Sequence, residues 1–337
     1  MLGRGPVSGH RERRVKMFDF RTLSLVGGVL GLLLAATTIG QRLKHAPDIG
    51  LNPALIDAFN LRVRAWWLMC TVLAAAFLFG QYSRIATVIV FFLISFWALR
   101  EFITLTPTRL GDHRALFWVF IVFTPLQYLI VGMGVERHAL LFSVLIPVYA
   151  FLFIPARVAM AGDYKRFLER TAKIQAGLMV CVYCLSYTPA ILSLQIPGFQ
   201  GGNARLLFFF VLVVQMNDVL QFAWGKLLGQ HVIAPAISPS RTWEGFFGGV
   251  ASATLIGAAL WWATPFTPWQ AAGMSIVISI MGFAGGMTMS AIKRDRGVKD
   301  YGTLVAGHGG VLDRIDSICF AAPVFYHLTR FFFPPGV

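Results

Sequence analysis

Charged side chains are scarce in this chain, making up only 13% of its 337 residues, and the acids number just 15. Set against 57% hydrophobic residues and a mean hydropathy of +0.68, that scarcity excludes a water-soluble fold. Cysteine is rarer still. Cys70, Cys181, Cys184 and Cys319 all fall inside apolar segments. Cys181 and Cys184 form a C-x-x-C, but it has no second pair, no histidine ligands and no polar flank. Small apolar packing residues are therefore expected there rather than metal or redox chemistry. The chain has no repeat of fixed period, and no low-complexity segment beyond a basic N-terminal tail.

What it does have is apolar length. A bilayer-spanning helix needs about 20 mostly apolar residues, and runs near that length lie at 22–40, 66–81, 85–99, 115–134, 138–155, 174–195, 205–225, 245–264, 268–290 and 315–333. They predict an all-α, polytopic integral membrane protein of roughly 9–10 transmembrane helices. Lys and Arg outnumber Asp and Glu by 29 to 15, an excess that fits nucleic acid, anionic lipid or topology. Position decides among them. The loops 41–65, 100–114, 156–173, 226–244 and 291–314 hold 19 of the 29 basic residues, and the connections between them hold almost none. That alternation is the positive-inside pattern. It places these loops in the cytoplasm, makes nucleic-acid binding unnecessary, and suits a bacterial inner membrane. Arg4, Arg11, Arg13, Arg14, Lys16 and Arg21 put the N-terminal tail on the same side, which ten strict crossings do not allow. Either an early segment is re-entrant or interfacial, or the loop 41–65 is translocated. The first apolar run is longer than a signal-peptide core, which predicts a retained helix.

Three regions follow: a basic tail over 1–21, a transmembrane scaffold over 22–200, and a C-terminal catalytic half over 201–337. The turn cluster Ile196-Pro197-Gly198-Phe199-Gln200-Gly201-Gly202 divides the last two. Beyond it polar groups enter the apolar runs. Asn217-Asp218, with Gln215 and Gln221 nearby, interrupts the run 205–225, and a carboxylate there needs a cation, a metal or water. Ser238-Pro239 reads as a helix start, and with Arg241 and Thr242 it makes a phosphate-binding candidate, since a helix N-terminus offers free N–H groups and positive dipole.

The segment 290–316, SAIKRDRGVKDYGTLVAGHGGVLDRID, is the densest in charge, with five basic and four acidic side chains. Lys293, Arg294, Lys299 and Arg314 suit phosphate oxygens and the charge that builds on a leaving group. Asp300, Asp313 and Asp316 suit Mg²⁺, which prefers carboxylate oxygens together with substrate phosphates. If the chain after Gly310 is helical, Asp313 and Asp316 share a face. Gly309 and Gly310 let the backbone approach a ligand, and His308 beside them is placed to donate to a phosphate. Positive-inside topology requires Lys and Arg only, so it does not account for the aspartates.

This segment resembles the signature of the phosphatidate cytidylyltransferase (CDP-diglyceride synthetase) family, S-x-x-K-R-x-x-x-x-K-D followed by H-G-G-x-x-D-R-x-D, with every spacing kept. The upstream run is similar to the family's other shared block: Asp218, then Gly225-Lys226, Gly229, His231 and Ser238-Pro239-x-x-Thr242-Trp243-Glu244-Gly245. The resemblance covers about 215–320. It implies an enzyme that uses CTP and Mg²⁺ to convert phosphatidate, or a related lipid phosphate, into CDP-diacylglycerol and pyrophosphate at the cytoplasmic face of the bilayer. It further implies metal-binding roles for Asp313 and Asp316, membership of the same site for Asp218 and Asp300, and phosphate contacts from Ser290, Lys293, Arg294, Lys299 and His308. The chain departs from the pattern at Val305-Ala306, at Gln221-Phe222 where Ala-Tyr is common, and at Gly285-Gly286 where many bacterial members have Gly-Asp. A homodimer stays open. The rival readings are a CTP-dependent lipid kinase of polyprenol type, with His308 or an aspartate as base, and a transporter with Asp218 and Asp300 on an ion path. A transporter predicts polar residues spread through several spans, whereas here the charge gathers at one face.

Overall fold

The computed structural model describes residues 83–105, 108–199, 202–302 and 309–334, with scattered positions between 27 and 67. The basic tail, Cys70, His308 and, apart from those scattered positions, the apolar runs at 22–40 and 66–81 lie outside the described residues. In hydrocarbon each backbone N–H and C=O must be satisfied within its own segment, so the apolar runs become helices. They are α1 (Arg84–Thr104), α2 (Leu110–Met133), α3 (Ala139–Ala159), α4 (Phe167–Ser193), α5 (Asn203–Leu227), α6 (Trp243–Ala259), α7 (Pro268–Asp295) and α8 (Leu312–Phe332). Six of these are long and apolar enough to cross a membrane; α6, of 17 residues, and α8, with its charged first turn, are not among them. The chain is a polytopic, mostly helical integral membrane protein. Its one sheet in the described residues is a hairpin, β1 (Val232–Ala234) against β2 (Ser238–Thr242), antiparallel, with Ala234 opposite Ser238 and Val232 opposite Thr242.

Asn217 and Asp218 lie within the fifth helix, which runs from Asn203 to Leu227. The buried Asn217 amide donates to the Ser279 carbonyl of α7 at 3.3 Å and accepts from Gln221 at 3.0 Å, so its polar groups are satisfied between helices. One expectation about local structure changes: Ser238-Pro239 does not start a helix. Both residues lie in β2, where the proline occupies a strand that has a partner on one side only, and the N-cap of α6 is Thr242, whose hydroxyl accepts from the Gly245 N–H at 3.1 Å.

The C-terminal helices pack α5 on α6, α6 on α7 and α7 on α8. Contact between α5 and α6 is close enough that a Cβ added at Gly249 would lie 2.3 Å from the Gln221 Cγ and 2.8 Å from its backbone nitrogen, the small-residue contact by which membrane helices approach. The loops after α1, α3, α5 and α7 meet on one face. Side chains tie them together there: buried Arg170 reaches Asp112 at 3.0 Å, Arg109 reaches Asp163 at 3.1 Å, and Arg296 reaches Glu169 at 3.8 Å. The described basic loops thus share a side of the molecule, as the charge pattern requires.

Candidate active site

On that face lies a cavity of about 220 Å³, walled by α5, the β2–α6 junction, α7 and the first turn of α8. Into it come Asp218 from α5, Ser240, Arg241 and Thr242 from the hairpin edge, and Asp313, Arg314 and Asp316 from α8. Two separate sequence blocks, 215–246 and 313–316, therefore build one pocket. Phe222, Phe246 and Phe283 give the wall an aromatic part, beside Gln215, Val219 and Gln221.

Asp313 organises the α8 side. Its carboxylate accepts from the Lys293 ammonium at 2.7 Å, from the Tyr301 N–H at 2.8 Å and from the Gly310 N–H at 2.8 Å. Those amides stand at the two ends of the signature loop, so one carboxylate closes it. Gly309, between them, has φ +77°, and a Cβ there would lie 2.7 Å from Asp313 Oδ2. Conformation and space both require glycine at that position. Tyr301 is buried, donates its hydroxyl to the Met289 carbonyl at 2.9 Å, and lies under Lys293.

A residue from the first half completes this corner, and sequence reasoning did not single it out. Glu101, buried at the end of α1, accepts from the Val311 N–H at 3.0 Å and the Leu312 N–H at 2.9 Å. These are orphan donors at the start of α8, where a carboxylate also meets the positive end of the helix dipole. Next to it Phe102 stacks on Tyr301, with centroids 6.3 Å apart and an 18° interplanar angle. In the sequence Glu101 is a lone acid just past an apolar run, 210 residues from its partners, and carries no motif. The 22–200 region is thus more than scaffold.

On the opposite wall Arg241 donates to Gln221 Oε1 at 3.0 Å, stands 4.0 Å from Asp218, and lies over the Phe283 ring at 5.3 Å. Several predicted site residues lie outside the cavity. Ser238 is paired opposite Ala234 in the hairpin, and Ser240, two residues further along the same strand, lines the pocket. Ser290 donates to the Gly286 carbonyl of its own helix at 2.6 Å. Arg294 donates to the Ile237 carbonyl at 3.2 Å and to the Val298 carbonyl at 3.0 Å, tethering the hairpin to the end of α7. Lys299 and Asp300 are exposed, with Asp300 set against Gly309. His308 is outside the described residues.

Among the described residues, no three His, Cys, Asp or Glu side chains converge at metal-binding distance. Asp218, Asp313 and Asp316 do line one pocket, and an all-oxygen set of that kind fits a hard divalent cation that keeps waters and takes substrate phosphate oxygens as further ligands. Asp300 is not among the residues that line this pocket.

The hairpin is pinned to α6 by Glu244, which accepts from His231 Nδ1 at 2.6 Å and from the backbone N–H groups of His231 and Gln230 at 3.3 and 3.2 Å. The His231 hydrogen bond, first among these, holds the Glu244 carboxyl down at about 2. A depressed carboxyl contributes stability above its unfolded value and loses it as pH falls through the folded one. The hairpin contact should therefore persist through mild acid and be lost only toward pH 2. Titrating Glu244 by carbon-detected NMR in detergent checks this, and a midpoint near that of a free glutamate would contradict it.

A family model described as the cytidylyltransferase family matches residues 60–332. The chain is 39% identical over 278 residues to a protein of Escherichia coli K12 named "Uncharacterized protein YnbB", covering 81% of this chain and 87% of that one. It is 36% identical over 127 residues to a phosphatidate cytidylyltransferase of Staphylococcus aureus strain COL and 38% identical over 127 residues to one of Staphylococcus epidermidis. Each of these two matches covers 37% of this chain and 49% of the staphylococcal protein, so the chain matches about half the length of those enzymes.

Proposed function

The chain belongs to the cytidylyltransferase family, and from that premise we propose that it transfers a cytidylyl group from CTP to a lipid phosphate, most simply phosphatidate, releasing pyrophosphate. The observation that carries this reading is the shared cavity, where Asp218 and Arg241 from one block face Asp313, Arg314 and Asp316 from the other. A phosphate monoester is already a nucleophile near neutral pH, so no dedicated general base is needed. An oxygen of the lipid phosphate attacks the α-phosphorus of CTP in line; the bond to the bridging oxygen of the β-phosphate breaks, and pyrophosphate departs with that electron pair.

The work of the protein is positioning and charge. Arg241 and Arg314 face the pocket and offer forked N–H donors to phosphate oxygens. Lys293 is held on Asp313, so it sits beside the pocket as part of the frame of the loop. Mg²⁺ held by Asp218, Asp313 and Asp316 would neutralise the phosphate oxygens and the developing charge on pyrophosphate. The phenyl wall of Phe222, Phe246 and Phe283 keeps one side of the pocket apolar, suited to a substrate arriving from the bilayer. The basic loops around the site support a position on the cytoplasmic face of a bacterial inner membrane.

The test is organic-phase incorporation from CTP labelled separately at the α- and γ-phosphates, using purified protein in detergent with Mg²⁺ and phosphatidate. Label from the α position alone, with pyrophosphate released, is expected. Label from the γ position would assign a lipid kinase, and label from neither would sink both readings.

A further inference from the structure

Two of the positions at which this chain departs from the pattern it resembles, Gln221 and Gly286, meet on one side chain. Gln221 Oε1 accepts from Arg241 Nη1 at 3.0 Å, while the other end of the same amide donates to Asn217, which donates in turn to the Ser279 carbonyl. The relay fixes the acceptor, and Gln221 itself is buried. At Gly286 a Cβ would lie 2.5 Å from Arg241 Nη2 and 3.2 Å from its Cζ, so the guanidinium fills the space that any larger residue would need. Phe283, one turn earlier on α7, supplies the ring beneath it. The alanine common at 221 offers no acceptor, and an aspartate at 286 would occupy the seat and reverse its charge.

We propose that Gln221 and Gly286 are a matched pair of positioning residues that lock Arg241 in the cavity as a phosphate anchor. Where the pattern has an acid, this chain presents a guanidinium that takes substrate phosphate directly. One of its five N–H donors meets Gln221 and Nη2 stands 4.0 Å from the Asp218 carboxylate, and the fork geometry of the guanidinium suits phosphate oxygens. The phosphate belongs to the nucleotide or to the lipid head group. The inference builds on the proposed transfer reaction, but its core, phosphate binding through a seated Arg241, is measurable without that reaction.

The test is a double-mutant cycle on the full chain in detergent, with equilibrium binding of inorganic pyrophosphate in one arm and of a short-chain phosphatidate in the other. Arg241→Ala, Gln221→Ala and Gly286→Ala are each expected to weaken at least one probe by on the order of tenfold, as loss of a hydrogen bond to a charged group implies. In the Arg241→Ala background the other two substitutions should change nothing further, because they act only through the guanidinium. Gly286→Ala meets only the far end of a flexible side chain, so it tests the seat even if Gln221→Ala fails to fold. In the transfer assay Gln221→Ala and Gly286→Ala should raise KM for the substrate whose phosphate is held by more than they lower kcat. Coupled loss in the pyrophosphate arm assigns the nucleotide, and in the phosphatidate arm the lipid. Additive losses, or none in either arm, overturn the proposal. Coupled loss in a protein that transfers no cytidylyl group would uphold the anchor and strike the reaction.

Discussion

Asp313→Asn should lower cytidylyl transfer by on the order of 10²- to 10³-fold, the scale expected when one preorganised electrostatic group is removed from an active site, with helical content unchanged. The substitution preserves shape and removes charge. In the structure the carboxylate is an acceptor three times over, from Lys293, Tyr301 and Gly310. An asparagine leaves the ammonium without its counter-charge, and its NH₂ must face at least one of these donors, so a hydrogen bond to Lys293 or to an end of the signature loop is lost as well. The Lys293 side chain is 13% exposed and that of Asp313 9%, so solvent replaces little of what is lost. Turnover in detergent and far-ultraviolet circular dichroism check the expectation. Full turnover in a folded Asp313→Asn protein would remove Asp313 from the site.

Glu101→Ala should act at the same corner from the other half of the chain. It leaves the N–H groups of Val311 and Leu312 without their acceptor, at about 1–3 kcal/mol for each buried donor, hence about 2–6 kcal/mol together. The thermal unfolding midpoint should fall by several degrees, and transfer should fall with it, because Gly310 and Asp313 are held by the turn that Glu101 caps. Glu101→Gln keeps one oxygen acceptor and should lie between the two. If Glu101→Ala keeps both its melting point and its turnover, α1 does not position the site.

These expectations differ in how far they were readable beforehand. Asp313 stood in a dense charged motif and was named from residue chemistry alone. Glu101 had no such signal, since a lone acid after an apolar run is as well explained by the membrane interface. Gln221 was visible as a polar residue beside Asp218, but nothing in its own segment identified Arg241 as its partner. Ser238 was named as a helix start, but it lies in the hairpin, and Ser240, which was not singled out, lines the pocket. Ser290 looked available, yet within a helix a serine hydroxyl readily bonds the carbonyl four residues back, as this one does.

The amino-acid sequence by itself determined the helices of the described residues, the gathering of the basic loops, and the two blocks that line the cavity. In hydrocarbon each helix satisfies its backbone within its own segment, so apolar length and loop charge are local signals. Only the tertiary structure decided that the blocks at 215–245 and 313–316 share a cavity, that Glu101 reaches across to α8, and that Arg241 is seated against Gly286. Those outcomes depend on how closely helices approach and at which turn they touch, and such contacts join residues far apart in the chain through the packing of all the helices at once.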